Sequence, residues 1–211
     1  MIKAWIADVT PLYEDECYAR YYEEVPDFRK RKADRLRIRS MKAQSIGAWV
    51  LWQKIRMKYG LQEDARFNLS HSGVFAMCAA EVDIGNAGKI SVGCDVEKIG
   101  ALKIKVARNY FCREEYEAIL QEKPDDAQTE LFYRYWVLKE SFMKATGRGM
   151  ALPANSFCIR MGEPPVLIRQ PDEFPDRYYY REYRLPGVPY RMAVCATDEN
   201  IDEELHTELA L

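Results

Sequence analysis

Phe75-Ala76-Met77-Cys78-Ala79 sits inside a small, apolar run over 74–82, with His71-Ser72-Gly73 before it and Gly85-Asn86-Ala87-Gly88 after it. A short apolar run bounded by turn residues reads as a strand. The flanking stretches 67–70 and 89–96 carry the same signature, so the three together predict an antiparallel meander. Upstream, Ser45, Ala48, Trp52, Ile55 and Tyr59 recur at spacings of three and four in a helical region that starts near Asp27. That spacing draws one buried stripe down a helix, where Gly47 lets a neighbour approach and Gly60 ends the element. Residues 2–9 supply a first strand, and the acidic stretch after Pro11 opens a short helix.

The second part of the chain repeats this order. Helical patterning returns at 103–121 and at 127–146, with Pro124-Asp125-Asp126 between, and strands are expected at 155–161, 165–169, 177–185 and 189–197. Gly162-Glu163-Pro164-Pro165 and Pro186-Gly187-Val188-Pro189 act as turns among them. Met192-Ala193-Val194-Cys195-Ala196 in the last strand looks like 75–79. The expectation is an α+β fold, a pseudo-dimer of two similar halves, 1–100 and 101–211, each an antiparallel sheet packed on a long helix. No low-complexity linker marks the junction.

With 211 residues, 48% hydrophobic and 30% charged, the chain has apolar surface enough for a sizeable core and lacks the composition of a disordered one. A net charge of -2 gives no general basic surplus for nucleic acid, whose phosphates demand one. Charge is nonetheless segregated. Residues 29–42, from Arg29-Lys30-Arg31-Lys32 to Lys42, are basic, whereas 198–208 are acidic apart from His206. A basic run of this kind is either a solvated helix face or a seat for phosphate or an acidic protein. Six cysteines form no C-x-x-C pair and several lie in apolar runs, which reads as reduced thiols in a cytoplasmic protein. The amino terminus lacks a signal-peptide core and no window reaches the length of a membrane span, so neither secretion nor a membrane partner is expected.

Chemistry concentrates in two stretches. In Trp136-Val137-Leu138-Lys139-Glu140-Ser141-Phe142-Met143-Lys144 a carboxylate stands between two lysines in an apolar helix, and Glu140 and Lys144, four apart, share a face. Taken alone, an ion pair on a solvated helix accounts for them. In Gly93-Cys94-Asp95-Val96-Glu97-Lys98, strand geometry puts Asp95 and Glu97 on one face. Adjacent carboxylates repel unless water or a cation separates them, and such oxygen ligands suit Mg2+, with Glu140 as a third. Two exposed acids at a strand end explain the pair equally well.

Phe67-Asn68-Leu69-Ser70-His71-Ser72-Gly73, the Gly93 to Lys98 stretch, and the Trp136 block followed by Gly147-Arg148-Gly149-Met150-Ala151-Leu152-Pro153 resemble, in order and spacing, the motif set of the 4'-phosphopantetheinyl transferases of the surfactin type. The resemblance covers most of 28–197. It implies a monomer with coenzyme A in the cleft between two α+β halves. It also implies transfer of the phosphopantetheine arm of coenzyme A to a serine of an acyl or peptidyl carrier protein, with release of adenosine 3',5'-bisphosphate. By the same resemblance Asp95, Glu97 and Glu140 hold Mg2+, Glu140 is the candidate acceptor of the serine proton, Lys144 either stabilises phosphate charge or holds Glu140 ionised, and Lys139 reaches the phosphates. Ser70 and His71 fall to coenzyme A, with His71 at the 3'-phosphate beside Arg31 and Lys30. Tyr110-Phe111-Cys112-Arg113-Glu114-Glu115-Tyr116 resembles an aromatic segment near the cleft and the carrier surface, with packing at a helix start as the alternative.

The chain departs from the pattern in two places. A Gly-Lys-Pro element that many relatives carry before the Asn68 block is absent, and Ala43 and Gln44 stand where an Arg often precedes the glycine at 47, leaving Lys42 as a substitute. Two other functions use the same residues. One is a Mg2+-dependent phosphohydrolase or nuclease, since three carboxylates and nearby lysines serve that chemistry too. The other is a non-catalytic adaptor that binds carrier proteins.

Overall fold

Successive residues of a strand face opposite sides, and in this molecule each side has its own neighbour. The computed structural model describes residues 1–83 and 90–211, so the predicted turn over Gly85-Asn86-Ala87-Gly88 lies outside the described residues. The chain runs β1 (Ile2–Asp8), α1 (Asp15–Glu24), α2 (Asp27–Asp34), α3 (Arg39–Tyr59), β2 (Phe67–Ser72), β3 (Phe75–Glu81) and β4 (Val92–Lys98). It continues with α4 (Ile104–Tyr110), α5 (Arg113–Gln121), α6 (Asp125–Ala145), β5 (Cys158–Arg160), β6 (Val166–Arg169), β7 (Tyr179–Tyr183), β8 (Tyr190–Ala196) and β9 (Ile201–His206).

One sheet has the order β2-β3-β1-β9, a second β4-β8-β7, and β5 pairs with β6. Ile2, Ala4 and Ile6 of β1 and Met77 and Ala79 of β3 share one core with Val92, Cys94 and Val96 of β4 and Met192, Val194 and Ala196 of β8. The intervening residues turn outward to the long helices: Trp5, Cys78 and Ala80 pack on α3, and Ala193 and Cys195 on α6. The two look-alike stretches are therefore the strands β3 and β8, each flanked on both sides within its sheet, and the α+β reading of two sheets on two long helices holds.

The predicted meander does not. β4 leaves β3 and pairs antiparallel with β8, while β9 returns from the far end of the chain to lie parallel to β1. β9 escaped the strand reading because its sequence, Ile201-Asp202-Glu203-Glu204-Leu205-His206, is mostly charged, as befits an edge strand with one face in water. The helical region from Asp27 breaks after α2. α3 then runs to Gly60, whose left-handed conformation (φ 63°) lets its N–H bond the Arg56 carbonyl. The reading of six reduced cysteines fails for one pair, because the fold sets the start of α5 against β5 and joins Cys112 to Cys158 as a disulfide, Cα atoms 5.8 Å apart. Among the described residues, no helix is long and apolar enough to cross a membrane.

Candidate active site

Gly93, Asp95 and Glu97 project from the face of β4 that meets α6, and the absence of a side chain at Gly93 lets the helix settle directly on the strand. That contact brings Lys144 alongside Asp95. The Lys144 ammonium donates to Asp95 Oδ1 (2.7 Å), Ser70 Oγ (3.0 Å) and the Cys94 carbonyl (3.1 Å), so it is occupied by Asp95 rather than by Glu140 on its own helix. Burial opposes this ammonium, but Asp95, Cys94 and Glu140 together hold its pKa above the ordinary lysine value. Among the described residues, Asp95 Oδ2 is buried with no partner. Glu97 Oε2 accepts a hydrogen bond from Ser72 Oγ (2.8 Å).

Desolvation, and then the charge of Asp95, push the carboxyls of both Glu97 and Glu140 above the usual range. Two carboxyls whose ionisation the charge of Asp95 opposes, gathered about an Asp95 with an orphaned buried oxygen, fit a hard divalent cation that keeps part of its water. The set is open rather than closed. Among the described residues, the only three-residue group with ligand atoms within 4.8 Å of one another is Cys112, Glu115 and Cys158, where the disulfide and Lys139 already account for the atoms.

Strand β2 separates this centre from a second one. Ser70 points to Asp95, so His71 points the other way, into a cavity of about 260 Å³ lined by Arg29, Lys32, Ser45, Phe67 and His71. Among the described residues, no carboxylate lines it. The Arg29 guanidinium lies 4.3 Å from the centre of the Trp49 ring, and among the described residues Arg29 Nε and Ser45 Oγ are buried without hydrogen-bond partners. The His71 imidazole is held below its ordinary value by desolvation and by the cations Lys32 and Lys144. A cavity with excess positive charge, unmet donors and no acid is built for an anion.

Three of the residues assigned from the sequence lie elsewhere. Lys30 pairs with Glu23 (3.1 Å) and Arg31 is exposed, away from the cavity. On α2 it is Arg29 and Lys32, three apart, that share the inward face, and Lys30 and Arg31 turn off it. Lys139 is buried on the far side of α6, where its ammonium meets Glu115 (2.9 Å) and the carbonyls of Ala154 (2.7 Å) and Phe157 (3.0 Å). Neighbours on a helix stand roughly 100° apart, so Glu140 at the cleft commits Lys139 to the core. Ser70 is buried and bonded to Asp95 (2.7 Å), on the opposite face of β2 from His71. Asp95, Glu97, Glu140 and Lys144 do come together. Sequence reasoning passed over Arg29, Lys32 and Ser72. The three-residue spacing marked the first two, and the period of two from Ser70 marked the last.

Residues 91–195 match the family model of the 4'-phosphopantetheinyl transferase superfamily. The 4'-phosphopantetheinyl transferase Sfp of Bacillus subtilis (strain 168) is 37% identical over 144 residues, 67% of this chain and 59% of its own length. A further 4'-phosphopantetheinyl transferase of Bacillus subtilis is 31% identical over 202 residues, 90% of this chain and 83% of its own length. The match to the first of these thus spans 59% of that relative. Among solved structures, the holo-(acyl-carrier-protein) synthase of Thermotoga maritima superposes with a TM-score of 0.43 and 22% identity, covering 50% of this chain and 61% of that one.

Proposed function

The chain belongs to the 4'-phosphopantetheinyl transferases, and we propose that it moves the phosphopantetheine arm of coenzyme A onto a serine hydroxyl of an acyl or peptidyl carrier protein, releasing adenosine 3',5'-bisphosphate. One observation carries this reading. The two faces of β2 hold a carboxylate centre with an orphaned buried oxygen and an acid-free basic cavity. The first suits a cation on a diphosphate and the second a terminal phosphate, the two charged ends of the nucleotide part of coenzyme A.

Attack of a hydroxyl on a phosphorus already carrying negative charge calls for neutralisation, alignment and removal of one proton. Asp95, Glu97 and Glu140 would hold Mg2+, which supplies charge neutralisation at the diphosphate. Lys144, held by three acceptors, presents a fixed positive charge beside that position. Glu140 has a raised pKa and, among the described residues, no hydrogen-bond or ion-pair partner, which suits it to accept the serine proton. Arg29, Lys32 and His71 would hold the 3'-phosphate of coenzyme A. The site draws β2 from one half and α6 from the other, in keeping with a single chain acting as a monomer.

The test is intact-mass spectrometry of an apo carrier protein incubated with this protein, coenzyme A and Mg2+, with an EDTA control. A gain of about 340 Da, the mass of the phosphopantetheine arm, lost with EDTA and lost in E140Q, is expected. No gain on acyl and peptidyl carriers alike, from folded protein, would overturn the reading.

A further inference from the structure

Asn68, Ser70 and Ser72 alternate along β2, and each accepts a hydrogen bond from a backbone N–H of β4. Asn68 Oδ1 accepts from Cys94 (3.1 Å), Ser70 Oγ from Val96 (3.4 Å) and Ser72 Oγ from Lys98 (3.1 Å). The donors alternate in step with the acceptors, so the two strands run in the same direction with matched registers. They are not partners in a sheet, since β2 pairs with β3 and β4 with β8. The outer edge of β4 would otherwise carry unmet N–H groups, and the side chains of β2 take the place of a backbone ladder along it.

The seam does more than join two edges. A hydroxyl has one proton to give and two lone pairs to receive. Once Ser72 accepts from the Lys98 N–H, its proton goes to Glu97 Oε2 (2.8 Å). Once Ser70 accepts from Val96 and Lys144, its proton goes to Asp95 Oδ1 (2.7 Å). One oxygen of each carboxylate is thereby fixed. Among the described residues, Asp95 Oδ2 is left without a partner, and Glu97 is bonded through Oε2 alone.

We propose that Ser70 and Ser72 are positioning residues for a divalent cation, each pinning one oxygen of its carboxylate to β4 so that the other is presented to the metal. The inference rests on the metal reading above and adds the residues that orient the ligands. Asn68 supplies an internal control, because it bonds Cys94 of β4 in the same seam and, among the described residues, no hydrogen bond joins it to either carboxylate.

The experiment titrates Mn2+ into the purified full chain, following free Mn2+ by electron paramagnetic resonance, beside thermal melting in EDTA. S72A should weaken Mn2+ binding roughly tenfold or more, as loss of a bond that orients a metal ligand does, while S72T restores it and N68A leaves affinity within about twofold. N68A should instead lower the melting temperature in EDTA. If S72A does not fold, S72C keeps the volume with a weaker donor and takes its place. Wild-type affinity in the folded Ser72 variant, or an equal loss in N68A, overturns the inference and leaves the seam purely structural. A wild-type chain that binds no Mn2+ overturns it together with the metal assignment, and the mass assay then decides separately whether transfer stands.

Discussion

Gly93 of β4 lies against the carbonyl of Ser141 on α6, so closely that no β-carbon fits between them. Asp95 and Glu97 hang from the same strand and Glu140 and Lys144 from the same helix, so this contact sets the spacing of the whole carboxylate centre. Gly93→Ala must push α6 away, at a cost of about 1–3 kcal/mol. Urea unfolding should report that loss. Turnover measured where the variant is still folded should fall further, because Lys144 no longer meets Asp95. Full turnover in a folded variant would remove the contact from the account.

Lys139 and Glu115 form a buried pair, 2% and 0% exposed, far from solvent screening. Lys139→Met strands a carboxylate in the core and should destabilise by about 3–5 kcal/mol. The double variant K139M/E115L should recover only part of this in the same denaturant titration, because Glu115 also accepts from the buried N–H groups of Cys112 (3.0 Å) and Ile159 (2.8 Å), which leucine leaves unpaired. KM for coenzyme A should stay at the wild-type value in both, and a large rise in KM would return Lys139 to the phosphates.

Arg29 and Lys32 should each matter to the 3'-phosphate where Lys30 and Arg31 do not. R29A and K32A are expected to raise KM for coenzyme A about 10- to 100-fold, the range for a lost hydrogen bond between charged groups. K30A and R31A should stay near wild type. With 3'-dephospho-coenzyme A as substrate the differences should vanish, since the group being read is gone.

His71 gives the cavity a pH dependence of known sign. In the free protein its pKa lies below the ordinary 6.5, through desolvation first and then Lys32 and Lys144. A bound phosphate favours the charged ring, so nucleotide binding should take up a proton as pH falls toward that region. Calorimetry of adenosine 3',5'-bisphosphate binding in buffers of different ionisation enthalpy should show this uptake, and H71Q should abolish it. For stability without ligand, the unfolded chain binds more protons between the lowered pKa and about 6.5. The His71 contribution therefore rises with pH through that window and is lost as pH falls, and H71Q should flatten that part of a stability profile.

Much of this could be read directly from periodicity. A period of two placed Asp95 and Glu97 together, a separation of four placed Glu140 and Lys144 together, and the stretches 75–79 and 192–196 marked the middle strands of two sheets. These relations hold within one element, where backbone geometry fixes which residues share a face. The exchange of β4 into the second sheet and of β9 into the first could not be read this way, nor could the choice of Arg29 and Lys32 over Lys30 and Arg31 or the burial of Lys139. Those depend on which face of an element meets which neighbour. That choice comes from burying apolar surface between segments distant in the chain, and it leaves no local pattern in the residues that obey it.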